Sequence, residues 1–178
     1  AKFIHLIRDG RRVVSSYYNK LNHECYVPDA VKSLSDFVLK KTKVQPPPEK
    51  KYWWPIINNS RKEHLDFLKK SQFEQIVMHW KIINKKIQTS LEKIPIEQKH
   101  FVKLEEFTES QKTFDKLLDF IGIKLPKVSF SSLRRPHNVH IPYNFPLNNT
   151  QKRTFWNLAG DVMDYYGYQK NADYEVVY

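Results

Sequence analysis

The run FIHLI at residues 3–7 is the strongest constraint on the fold: it is nearly continuously apolar, interrupted only by His5. A strand without polar alternation belongs in a parallel sheet with helices on both faces, since a half-exposed strand would alternate. The run stops abruptly at Arg8, Asp9 and Gly10. Asp9 and Gly10 predict a turn, with Asp9 as N-cap of a helix over roughly residues 11–22. Strand, tight turn and helix together make the anion-binding half of an α/β unit.

The rest of the chain alternates helices and breakers. An amphipathic helix is expected over 29–43, ended by the prolines of VQPPPEKKYWWP, so that 44–60 is a loop. Ser71 and Glu74 form a capping box before a long helix whose stripe runs through Phe73, Ile76, Val77, Trp80, Ile83, Ile87 and Leu91. His79 lies one step off that stripe and reads as a boundary residue. A second strand, KHFVKLE at 99–105, precedes a helix carrying Phe114, Leu117, Leu118 and Ile121, with Thr108 and Gln111 as its capping box and Gly122 as its stop. Residues 124–148 are irregular and proline-rich, and a last helix spans about 149–166. Both strands are of the doubly covered kind, and two strands do not make a stable parallel sheet. The remaining strands are therefore expected upstream of Ala1, and the chain is read as one domain, 1–178, of a larger sheet.

At 178 residues, with 40% hydrophobic and 28% charged residues, the chain is globular in composition. No apolar run approaches the roughly 18 residues of a membrane span. The single cysteine, Cys25, allows no internal disulfide, so a cytoplasmic location is expected. Sequons at Asn58 and Asn148 would matter only in a secretory lumen. A formal charge of +11 draws anions, whether nucleic acid, membrane surface, or a phosphorylated or sulfated molecule, and does not choose among them.

Arg8 stands where the first strand meets its turn, at the sheet edge where open α/β folds bind ligands. Its guanidinium offers a planar fork suited to phosphate, and the following helix aims free N–H groups at the same spot. Ser16, eight residues on, adds a hydroxyl. The bland alternative pairs Arg8 with Asp9 or another carboxylate and leaves Ser16 an ordinary helix residue.

The segment FIHLIRDGRRVVSSYY resembles the strand–turn–helix of sulfotransferases that use 3'-phosphoadenosine 5'-phosphosulfate (PAPS). The resemblance implies that Arg8 and Ser16 hold the nucleotide's 3'-phosphate, and Tyr17 and Tyr18 are similar to the family's aromatic pair. FEQIVMHWKIINKKI, FVKLEEFTESQKTFDKLLDFIGI and FWNLAGDVMDYYGY resemble later family segments in the family's order. The fold implied is α/β, a P-loop-like three-layer arrangement with a parallel sheet flanked by helices, truncated at its N-terminus. The donor implied is PAPS without a metal, and the acceptor a hydroxyl or amine on a small molecule, glycan or lipid.

The chain also departs from the family. The phosphosulfate loop and the usual histidine or carboxylate base have no counterpart, so no catalytic residue is assigned and the isolated chain is expected to turn over little. Leu104 replaces a tyrosine that reaches the adenine. Arg135 or Arg134, in RRPHNVH, is the counterpart of a late arginine loop, and Phe130 is similar to an aromatic position that stacks on adenine.

Other residues admit two readings. His137 and His140 are loop histidines rather than metal ligands, since zinc wants about four. Glu105 and Glu106, adjacent on a strand, would face opposite ways, which favours a structural role over an acid/base pair. Trp53 and Trp54 either line a pocket or fold back on the surface. From another class, the rival is a basic nucleic-acid- or polyanion-binding module using Tyr17, Tyr18, Lys20 and the KKYWW loop, although no nucleic-acid motif is present and no such partner is expected. A small-molecule kinase would need a Walker loop, which is absent.

Overall fold

A computed structural model describes residues 1–19, 23–57, 59–124 and 146–170. The protein is mixed α/β: a two-stranded parallel sheet flanked by helices. In chain order come β1 (Phe3–Ile7), α1 (Gly10–Asn19), α2 (Pro28–Val38), α3 (Arg61–Leu68), α4 (Gln72–Glu92), β2 (Lys99–Lys103), α5 (Leu104–Glu109), α6 (Gln111–Ile121) and α7 (Asn149–Tyr165). Short 3-10 turns occupy Lys50–Tyr52 and Ile96–Gln98. The chain divides into two compact units: one of Ala1–Arg8, Asn84–Asn144 and Val176–Tyr178, the other of Asp9–Ile83 and Phe145–Glu175.

In the first unit β1 and β2 pair in register from Phe3↔Lys99 to Ile7↔Lys103. His5 and Ile7 are buried on one face, whereas Ile4 and Leu6 on the other are 44% and 51% exposed. The expectation that both faces of β1 are covered is therefore corrected: a two-stranded sheet offers few neighbours, and the described helices reach only part of it. His5 rests on Phe101, with ring centroids 5.8 Å apart, and its Nε2 lies 3.4 Å from Asn84 Oδ1. Burial pushes the His5 imidazole below its usual range. Phe114 of α6 adds to this small core.

The second unit holds the larger core. Phe155, Ala159, Val162 and Met163 line one face of α7 and are essentially solvent-free. Val14 of α1 and Ile76, Val77 and Trp80 of α4 are buried with them. Gly10 at the head of α1 is required by this packing: a Cβ there would stand 2.8 Å from both Phe155 Cζ and the Trp80 ring. Gly10→Ala is accordingly expected to cost about 1–3 kcal/mol despite alanine's better helix propensity, because overpacking outweighs it. Urea denaturation checks this, and a stabilised variant would refute the contact.

Local signals set most helix ends. Ser71 and Glu74 cap α4 reciprocally, the Ser71 N–H donating to Glu74 Oε2 at 2.8 Å and the Glu74 N–H to Ser71 Oγ at 3.4 Å. Gly122, at φ 80°, ends α6 in the left-handed conformation expected of it. Asn148 caps α7 in a box with Gln151, so the second sequon's asparagine is committed to the helix start. Other boundaries differ from expectation. Helix α2 stops at Val38, because Lys40 turns left-handed at φ 57°. Ser60 starts α3, a helix the sequence reading passes over, by accepting from the Glu63 N–H. Ser110, not Thr108, caps α6. Strand β2 gives way at Leu104 to α5, so Glu105 and Glu106 lie in a helical first turn rather than on a strand.

Candidate functional site

Arg8 immediately follows β1, and the parallel pairing of Ile7 with Lys103 puts the carboxyl ends of both strands at one edge of the sheet. Parallel strands leave their ligand crevices at that edge. Arg8 is half-buried and makes no side-chain hydrogen bond or ion pair with a described residue. Lys103 shares the edge and lies 3.6 Å from the Glu106 carboxylate. Beside this paired lysine, Arg8 offers the edge of the first unit a guanidinium whose donors are available.

Asp9 belongs to Arg11, a residue the sequence reading did not single out. Both are buried, and the contact is two-pronged: Arg11 Nη2 donates to Asp9 Oδ2 at 2.7 Å and Nε to Oδ1 at 3.1 Å. Arg11 also donates from Nη1 to the Lys170 carbonyl at 3.1 Å and lies over the Trp156 ring. Asp9 meanwhile caps α1, as expected, taking the Arg11 N–H at 2.8 Å on its carboxylate and the Arg12 and Val13 N–H groups on its carbonyl. The helix N–H groups expected to face an anion are thus largely occupied by Asp9, because a carboxylate fixed one residue before a helix satisfies them intramolecularly. The signal for Arg11 was its place two residues after a capping aspartate.

Ser16 lies in the second turn of α1, half-buried and without a side-chain hydrogen bond to a described residue. It belongs to the second unit and Arg8 to the first. Phe130, Arg134, Arg135, His137 and His140 lie outside the described residues. The aromatic pair after Ser16 packs inward: Tyr17 against Trp54 and His79, and Tyr18 edge-on to Phe73 at 5.4 Å. Trp54 itself is buried against Tyr26, whereas Trp53 is 44% exposed and donates its indole N–H to the Pro47 carbonyl at 2.7 Å. Of the two tryptophans, Trp54 has folded back into the domain.

His79 is more than a boundary residue. The Tyr26 hydroxyl donates its one proton to the Pro55 carbonyl, which can only accept. The 2.7 Å contact between His79 Nδ1 and Tyr26 Oη is then made by a proton on Nδ1. Burial among aromatic rings pushes the His79 imidazole down to about 4. It also pushes the Tyr26 hydroxyl up and the Cys25 thiol up to about 11.

For His79 the folded value lies below its ordinary 6.5, so the unfolded chain binds the proton first as pH falls. Its stabilisation is complete above about pH 7.5 and declines through 6.5 toward 4, by about 3 kcal/mol in all. Urea midpoints compared between pH 7.5 and 4.5 should fall steeply in the wild type and less in His79→Leu; equal slopes would rule out His79 as the cause.

Among the described residues no helix is long and apolar enough to cross a membrane. No family model, no curated protein and no solved structure matches the chain.

Proposed function

We propose that the chain is the nucleotide-gripping, C-terminal part of a sulfotransferase that moves a sulfuryl group from PAPS to a hydroxyl or amine acceptor. The observation that carries this reading is Arg8: a half-buried guanidinium with no partner among the described residues, at the carboxyl edge of a parallel strand pair. Such a group is costly to hold there unless an anion completes it. Sulfuryl transfer, like phosphoryl transfer, relies on positioning and charge stabilisation more than on covalent chemistry. Arg8 would supply the fork for the 3'-phosphate and Ser16 a hydroxyl donor, with Arg134, Arg135 and Phe130 as further contacts. The exposed Ile4 and Leu6 support placing the strand pair in a larger parallel sheet of P-loop-like, three-layer architecture, completed by strands outside these residues. A buried, reduced Cys25 fits a cytoplasmic protein.

Calorimetric titration with adenosine 3',5'-bisphosphate tests the reading. The folded chain should bind it and discriminate against 5'-AMP. Arg8→Ala should weaken binding roughly 10- to 100-fold, as expected for lost charge-assisted hydrogen bonds. Affinity indifferent to the 3'-phosphate or to Arg8 would overturn the proposal.

A further inference from the structure

In the second unit a cavity of about 440 Å³ is lined by α2 and the first turn of α4, within the size range of small-molecule sites. Its wall chemistry is one-sided. The His64 ring contacts the Ile57 carbonyl through Nδ1, and since a carbonyl can only accept, the proton sits on Nδ1. In the singly protonated ring Nε2 is then an acceptor, so Ser35 Oγ, 2.6 Å away and buried, spends its proton on it and offers the cavity no donor. Gln72 spends its amide protons on the His23 and Cys25 carbonyls, both at 2.7 Å, and Gln75 donates to the Phe67 carbonyl at 3.1 Å. Both glutamines line the cavity, and neither side-chain carbonyl oxygen has a partner among the described residues. Gln72 and Gln75 thus supply two oxygen acceptors, and Ser35 supplies no donor.

Charge in the lining is positive. Lys32, Lys41 and Lys70 are there with a single carboxylate, Asp36. Asp36 takes Lys32 at 2.9 Å and Lys41 at 3.4 Å, so one negative charge faces two ammonium groups and leaves a cation in surplus. Hydrogen bonding to Lys32 first, and then proximity to both lysines, holds the Asp36 carboxyl below its usual range, so it stays ionised. Lys70 pairs only loosely, at 3.5 Å, with Glu74. Exposed lysine pairs of this kind are weak and their ammonium groups re-aim readily.

We propose that this cavity binds a polyhydroxylated organic anion with the chemistry of a sugar acid, its hydroxyls donating to Gln72 and Gln75 and its anionic group meeting Lys32 and Lys41. An apolar ligand would strand the two acceptors, and a cation would meet the lysine surplus. The inference does not rest on Arg8 or on the nucleotide reading.

The test is an amide NMR titration of the whole chain with D-gluconate at constant ionic strength, with D-glucose in parallel. Gluconate should produce saturable shifts at Val31, Ser35, Gln72 and Gln75, and glucose should bind more weakly because it lacks the charge. The lysine side chains are 78% and 57% exposed, so Lys32→Met with Lys41→Met leaves the fold intact. The double variant should weaken gluconate roughly tenfold, the effect of losing two exposed ionic contacts. Absence of saturable shifts at these amides, equal affinity for glucose, or unchanged affinity in the double variant would each overturn the proposal.

Discussion

Asp9→Ala is expected to cost about 3–5 kcal/mol, a large share of the roughly 5–15 kcal/mol that holds a domain folded. Asp9 and Arg11 are each about 4% exposed and joined by two hydrogen bonds, so removing the carboxylate strips a buried guanidinium of this two-pronged contact. The same substitution strips α1 of its cap, worth about 0.5–2 kcal/mol by itself. Pairing it with Arg11→Met separates the two effects. With both charges gone the desolvation penalty disappears, and most of the loss should be recovered apart from the cap. Urea unfolding of the two single variants and the double variant measures this. If Asp9→Ala lies within 1 kcal/mol of wild type, roughly the worth of a surface pair, the contact is not the buried staple described here.

Phe155→Ala should be comparably severe, about 3–5 kcal/mol, because a fully buried ring is lost and its cavity is walled by rigid neighbours. Its centroid is 6.0 Å from the Trp80 ring, and its Cζ occupies the space in front of Gly10. The last contact makes a sharper expectation. The Gly10→Ala cost should shrink in the Phe155→Ala background, because one of the two groups met by the new methyl has gone. Strict additivity of the two substitutions would show that Gly10 is not held by Phe155.

Capping signals were legible wherever they sat next to the helix they start. Ser71 with Glu74, Asp9 before α1 and Gly122 after α6 behave as their chemistry predicts, since a cap is decided by side chains within one turn of the helix end. The start of α3 at Ser60 was equally local but was overlooked beside the more conspicuous stripe of α4. The expected Thr108 cap fails for a different reason. The Thr108 hydroxyl donates back to the Leu104 carbonyl at 2.9 Å inside α5, a helix that KHFVKLE was read as excluding.

The candidate site was legible only in part. Arg8 could be placed at a strand's carboxyl end because an apolar run ending in a charge marks that boundary. Arg11 was signalled only by its place two residues after a capping aspartate, which does not say that the pair will be buried. Trp53 and Trp54 are adjacent and chemically identical, yet Trp54 meets Tyr17 and Tyr26 while Trp53 meets Pro47. Likewise the cavity beneath Ser35 depends on His64, 29 residues away.

What the sequence by itself determined is the order of both strands and of five of the seven described helices, several of their ends and the edge position of Arg8, because these follow from periodicity and from contacts within a turn of chain. What only the tertiary structure decided is which distant polar groups become partners, Tyr26 with His79 and Ser35 with His64, and that the Asp9–Arg11 pair is buried. It also decided that the described helices leave Ile4 and Leu6 of β1 exposed. Those outcomes depend on which distant surfaces meet, and on the cost of burying a polar group until its partner arrives.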